Sequence, residues 1–138
     1  MTPLFVDTSL YLALFSHDDA WHAEAVAWSR QNTRPLVLTE FILIELGNAL
    51  SGRPARPLFL DLVRRLRSQP ATEIVPASTD LVDRGLRLFA ERPDKDWSLT
   101  DCTSFVVMRE RGILDAAAAD HHFEQAGFTI LLKQTPPR

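Results

Sequence analysis

Four acidic residues, far apart along the chain, occupy positions where an ordinary surface carboxylate is not expected. Asp7 directly follows an apolar run, and Asp120 follows the run "LDAAAA". Glu45 lies inside the apolar segment "EFILIELGNAL", where a charged group needs a partner or a cation. Asp101 comes three residues after a serine, which fits a capping box, and Asp7 and Asp120 could likewise be helix caps.

Gathered in one place, these four carboxylates would have a specific chemistry. Neighbouring carboxylates repel each other unless they are protonated or neutralised by a cation. Mg²⁺ and Mn²⁺ take oxygen ligands, and Mg²⁺ is usually held by one or two carboxylates together with waters and substrate phosphate. A metal held in this way activates water and stabilises the charge of an in-line phosphoryl displacement. Two alternatives therefore stay open: four separate caps, or one metal site.

The elements that would position these acids can be predicted from the apolar patterns. Strands are predicted at 3–7, 35–39, 73–77, 113–119 and 128–132, and helices at 19–32, 40–50, 55–68, 79–91 and 98–112, with a helical turn at 121–127. Strands that alternate with helices indicate a parallel sheet with helices on both faces. In such sheets ligands bind beyond the carboxyl ends of the strands, which is where Asp7 and Asp120 are placed.

Length and charge narrow the class of protein. The 138 residues suit one domain, 1–138, and we expect no signal peptide and no membrane span. The single cysteine, Cys102, excludes an internal disulfide and fits a reducing cytoplasm. The formal net charge of −3 provides no global attraction for nucleic acid, so a local patch would have to hold it. Arg53, Arg56 and Arg64 lie in an arginine-rich stretch that is either such a patch or a solvated helix face.

Other residues are weaker candidates for chemistry. His121 and His122 follow Asp120, but adjacent residues do not face the same way, so surface or capping roles are favoured over zinc binding. Cys102 has no evident catalytic partner and is expected in the core. A phosphohydrolase that uses Asp7 as nucleophile would need a second aspartate two residues later, and position 9 is serine.

The chain resembles the PIN-domain family, and within it the VapC-type ribonuclease toxins. The similar stretches are "FVDTS", "LTEFILIELGNAL", "DKDWSLTDCTSFVVMRERGI" and "ADHHFEQAGF". They occur in the order found in the family and cover nearly the whole chain. The last two are the most specific of the four.

This resemblance implies a three-layer α/β/α sandwich around a central parallel sheet with strand order 3-2-1-4-5. The acidic site of the family falls on Asp7, Glu45, Asp101 and Asp120. Asp7, Asp101 and Asp120 would bind the metal, and Glu45 would bind metal or position a metal-bound water. The resemblance further implies an Mg²⁺- or Mn²⁺-dependent endoribonuclease, usually a homodimer, that is inhibited by a cognate VapB-like antitoxin.

One departure from the family pattern concerns the segment before the last aspartate. The family commonly has leucine and one or two threonines there, whereas this chain has alanine from 116 to 119. A hydroxyl that orients the site is therefore missing, and Thr8, Ser9 and Thr100 are the remaining candidates to supply one. The alternative function is a catalytically weak or inactive PIN scaffold that acts as a binding protein.

Overall fold

A single parallel sheet forms the centre of the computed structural model, which describes residues 1–132. The last six residues of the expected domain lie outside the described residues. The five strands are β1 (Leu4–Val6), β2 (Leu36–Thr39), β3 (Thr72–Val75), β4 (Asp115–Ala117) and β5 (Thr129–Ile130). All pairings are parallel and the order is β3-β2-β1-β4-β5, so the predicted strand order is confirmed.

Seven helices surround this sheet in the described part of the chain. They are α1 (Thr8–Phe15), α2 (His22–Gln31), α3 (Glu40–Ala49), α4 (Arg56–Ser68), α5 (Thr79–Glu91), α6 (Leu99–Arg111) and α7 (His121–Gln125). Crossovers between parallel strands are right-handed. The helices that connect β1 to β2 and β2 to β3 therefore lie on one face of the sheet, and the helix that connects β4 to β5 lies on the other. The three-layer α/β/α arrangement follows from this reversal and confirms the expected fold class.

Helix α1 is the element that the sequence analysis missed. Its segment "TSLYLALF" starts one residue after β1, with no glycine or proline to mark a turn. It packs against both α2 and α3, so its apolar residues do not fall on one stripe. Without an amphipathic period, a buried helix of this length has no sequence signal that distinguishes it from a loop or strand.

An aromatic cluster fixes the helices that carry two of the acids. The ring of Phe105 on α6 meets that of Phe123 on α7 edge to face, with centroids 4.9 Å apart, and Trp97 lies 5.0 Å from Phe105. Phe123 also contacts Phe5 of β1 at 6.2 Å. Because such rings are large and rigid, they hold the starts of α6 and α7 against the end of β1.

Local signals at the helix ends are confirmed where the structure tests them. Ser98 and Asp101 form the predicted capping box of α6, and Gly112 ends that helix with φ of +65°. Cys102 is fully buried, which confirms the expectation of a core position. Burial raises the pKa of its thiol to about 11. Within residues 1–132, no helix is long and apolar enough to cross a bilayer.

Candidate active site

Three of the four acids cap helices that start at the same edge of the sheet. Asp7 Oδ2 accepts the backbone N–H two residues further on at 3.2 Å, as the N-cap of α1. Asp101 Oδ2 accepts the N–H of Ser98 at 3.1 Å within the capping box of α6. Asp120 Oδ1 accepts the backbone N–H two residues further on at 2.9 Å, as the N-cap of α7. In each carboxylate the other oxygen accepts no hydrogen bond from the residues that the structure describes.

All four predicted acids line one cavity of about 290 Å³. Its full lining is Asp7, Thr8, Ser9, Leu12, Glu45, Asp96, Ser98, Asp101, Asp120 and His122. Helix capping and clustering in one cavity are therefore not alternatives, because the same three aspartates cap helices and line the cavity. Glu45 reaches the cavity from α3, is half-buried, and caps no helix in the described chain.

The cavity disfavours the ionised form of two of its aspartates. Burial raises the pKa of Asp7 to about 7, against the opposing hydrogen bonds from Ser9, and the charges of Asp101 and Asp120 add to the rise. Burial likewise raises the pKa of Asp101, with a further contribution from Asp120, while hydrogen bonds from Ser98 and His122 oppose it. A bound cation would remove this penalty by neutralising the carboxylates.

Two hydroxyls adjoin Asp7. Ser9 Oγ donates to Asp7 Oδ2 at 2.6 Å and accepts the backbone N–H of Ala119 at 3.1 Å, so it joins the ends of β1 and β4. Thr8 Oγ1 is buried and has no hydrogen-bond partner among the described residues, although Thr8 lines the cavity. Thr100, the third expected hydroxyl residue, does not line the cavity.

His122 and Asp96 are site residues that the sequence analysis missed. The expectation of a surface or capping role was wrong for His122, whose side chain is only 20% exposed and whose Nδ1 lies 3.0 Å from Asp101 Oδ2 and 3.4 Å from Asp120 Oδ1. His121 does face outward and is 71% exposed. No signal in the sequence separated the two histidines, because both lie in the first turn of α7 and the packing of α7 beside α6 decides which one faces Asp101. Asp96 is exposed and carried no apolar context to mark it.

The predicted arginines lie away from this cavity. Arg53 precedes α4, Arg56 begins it and Arg64 lies on its surface, and all three side chains are exposed. Arg56 donates to the backbone oxygen of Ser51. Contact with RNA remains a prediction for these residues.

The donor set fits a hard divalent cation. It offers the second oxygens of three aspartates, the carboxylate of Glu45, and the hydroxyl of Thr8, which has no hydrogen-bond partner within residues 1–132. Oxygen donors of this kind are what Mg²⁺ and Mn²⁺ select.

Comparison with known proteins places this arrangement in a family. The chain is 31% identical over 127 residues to the 23S rRNA-specific endonuclease VapC20 of Mycobacterium tuberculosis. The aligned residues cover 91% of this chain and 95% of the relative. The crystal structure of M. tuberculosis VapC20, described as a sarcin-ricin loop cleaving toxin, superposes with a TM-score of 0.82 at 27% identity over 91% of this chain and 96% of that chain.

Two more distant structures share the fold. FitAcB from Neisseria gonorrhoeae has a TM-score of 0.65, and DNA-bound VapBC from Salmonella typhimurium has one of 0.61, each at 16% identity. They cover 92% and 95% of this chain, and 95% and 98% of their own chains. The profile of the PIN domain matches residues 4–129. The chain therefore belongs to the PIN domain family.

Proposed function

We propose that this chain is a metal-dependent endoribonuclease of the VapC type, the toxin of a type II VapBC-like toxin–antitoxin system. The observation that carries the proposal is that Asp7, Glu45, Asp101 and Asp120, drawn from distant parts of the sequence, line one cavity at the carboxyl edge of the sheet. The likeness to VapC20 along 91% of the chain supports the same activity.

The proposed roles follow from the capping geometry. Asp7, Asp101 and Asp120 hold the metal through oxygens that the capping bonds leave available, and Glu45 binds metal or positions a water. Mg²⁺ or Mn²⁺, when bound, supplies an activated water and stabilises charge on the phosphate. Ser9 keeps the Asp7 carboxylate in one orientation, because its hydroxyl accepts the backbone N–H of Ala119, just after β4, and donates to Asp7.

Ribosomal RNA is the substrate class that we propose, since the relative VapC20 is named for cleavage of 23S rRNA. The cavity is acidic and the chain carries a net charge of −3, so substrate phosphates need cations at the site and basic side chains around it. Arg53, Arg56 and Arg64 are the proposed backbone contacts. Their exposure leaves the guanidinium groups accessible to a large RNA.

The proposed inhibitor is a VapB-like antitoxin that covers α3 and α4. A groove of about 510 Å³ lies between these helices and presents apolar side chains, among them Ile44 at 56% and Leu60 at 58% exposed. An arginine of the antitoxin would lie near Asp7 and Asp101, because a guanidinium matches carboxylates in a bidentate way. We also propose a homodimer and a cytoplasmic location. The latter rests on the lack of any partner for Cys102 within the chain.

Cleavage of labelled RNA by the purified, antitoxin-free chain tests the activity. Activity should require Mn²⁺ or Mg²⁺, disappear with EDTA, and fall by a factor of at least about 100 in Asp101→Asn, a loss of about 3 kcal/mol in transition-state stabilisation. Asp61→Asn, a change on the surface of α4, is the matched control. Metal-independent cleavage, or an Asp101→Asn variant as active as the parent, would contradict the proposal.

The inactive scaffold remains the second candidate because of the run Ala116–Ala119. Ser9 offsets the missing hydroxyl in part, because it supplies one to Asp7 from the first turn of α1. The two candidates differ in the same assay: a scaffold binds its partner and leaves every RNA intact.

A further inference from the structure

We propose that His122 is a direct ligand of the metal, so that the site takes a nitrogen donor and prefers Mn²⁺ over Mg²⁺. This inference rests on the proposed metal-dependent function and names a donor outside its four acids. His122 Nδ1 lies 3.0 Å from Asp101 Oδ2 and 3.4 Å from Asp120 Oδ1. Both oxygens are the ones that accept the capping hydrogen bonds, so an ion held by the other oxygen of either carboxylate would lie beside this imidazole nitrogen in the same cavity.

The position of His122 is held from three sides. Its backbone N–H donates to Asp120 at 2.9 Å, which fixes the first turn of α7. The next residue, Phe123, is fully buried in the aromatic cluster, so the turn cannot rotate freely. Asp101 meets the ring from the start of α6. A donor atom that packing holds in place loses little freedom when it binds an ion.

The charge of the cavity also favours an imidazole as the additional donor. Five carboxylates already line this space, and a further anion would add to their mutual repulsion. A neutral imidazole adds a donor without adding charge. In the metal-free protein Nδ1 shares a hydrogen bond with Asp101 Oδ2, and binding an ion through Nδ1 would require the ring proton to reside on Nε2.

The consequence is a change in metal selectivity. Mg²⁺ is bound almost entirely through oxygen, whereas Mn²⁺, which also favours oxygen, takes an imidazole nitrogen more readily than Mg²⁺ does. Loss of the nitrogen should therefore weaken Mn²⁺ binding far more than Mg²⁺ binding. We expect His122→Asn to raise the dissociation constant for Mn²⁺ at least about tenfold and to change that for Mg²⁺ much less.

His121 provides the matched control. One donor atom each from Asp120, His121 and His122 lies within 4.8 Å of the others, and yet the side chain of His121 is 71% exposed. His121→Asn therefore removes the neighbouring ring, whose centroid lies 4.6 Å from that of His122, and keeps the imidazole that faces Asp101. It should leave both dissociation constants unchanged.

The deciding experiment is pulsed electron paramagnetic resonance of the Mn²⁺-loaded full chain, with Mn²⁺ and Mg²⁺ dissociation constants measured on the same preparations. The parent and His121→Asn should show the modulation of a directly bound ¹⁴N nucleus, and His122→Asn and His122→Asp should lack it. His122→Asp keeps a metal-binding side chain at this position and should lower the preference for Mn²⁺ over Mg²⁺ at least about tenfold.

A parent without ¹⁴N coupling, or coupling that persists in both His122 variants, would overturn the inference and assign His122 the role of orienting Asp101. RNA cleavage by the parent is recorded separately. A parent that shows the His122-dependent coupling but cleaves no RNA supports this inference and contradicts the proposed function. A parent that cleaves RNA with Mn²⁺ but shows no coupling contradicts the inference alone.

Discussion

The cost of charging Asp7 gives the sharpest test of the cavity's electrostatics. Burial raises the pKa of Asp7 from an ordinary value of 3.8 to about 7. At about 1.4 kcal/mol for each tenfold change in proton affinity, this difference corresponds to about 4 kcal/mol. In metal-free protein the native state holds the Asp7 proton more tightly than the unfolded chain does. Its contribution is therefore fully present below about pH 4 and is lost as pH rises to about 7.

The perturbation is Asp7→Asn, which removes the ionisable group and keeps most of its shape. The asparagine oxygen can still accept the N–H and Oγ–H of Ser9, so the cap of α1 is retained. In EDTA at pH 8, the variant should be more stable than the parent by up to about 4 kcal/mol. At pH 4 the two proteins should differ by less than about 1 kcal/mol, because Asp7 is then protonated in the native parent and close to half protonated in the unfolded parent.

Urea unfolding of both proteins at pH 4, 6 and 8 in EDTA measures this difference. Asp18→Asn, a change at an exposed residue just after α1, is the control and should show no such pH dependence. With Mn²⁺ the order at pH 8 should reverse, because the ion stabilises the parent by mass action and binds the variant poorly. A variant that is less stable than the parent at pH 8 in EDTA would refute the reasoning.

Three further substitutions probe the surroundings of the site. Thr8→Val removes a buried hydroxyl that has no partner among the described residues, so the melting temperature in EDTA should stay equal or rise. RNA cleavage by this variant should fall, because the hydroxyl is one of the proposed oxygen donors. Ser9→Ala should cost about 1–3 kcal/mol in urea unfolding, because it leaves a backbone N–H after β4 without its acceptor. Gly85→Ala would place a methyl group 2.7 Å from Thr103 Cγ2 and should cost about 1–3 kcal/mol, without changing metal affinity. Gly52→Ala, which meets nothing within 4 Å, is its control and should leave stability nearly unchanged.

Local chemistry explains which features could be predicted from the sequence. The capping box of Asp101 and the glycine at 112 involve residues within a few positions of each other, and both are as predicted. The place of Glu45 was indicated by its apolar neighbours alone. These signals need no knowledge of the tertiary fold.

Features that depend on distant contacts were not accessible in this way. Helix α1 is covered by two other helices, so its sequence has no polar face to reveal it. His122 is a site residue only because α6 and α7 start side by side, which places Asp101 next to a residue 21 positions later. The family resemblance implied the strand order, whereas residue spacing alone indicated only a parallel sheet.

The double use of the aspartates affects how relatives of this chain should be compared. A descendant that lost its catalytic role would still need Asp7, Asp101 and Asp120 to start three helices, since replacing a capping aspartate by alanine costs about 1 kcal/mol each. Selection for folding alone would therefore keep a capping side chain, aspartate or asparagine, at these three positions. Glu45 caps no described helix and bears no such constraint. Its loss in a related sequence that retains the three aspartates is the mark by which a silent scaffold can be recognised.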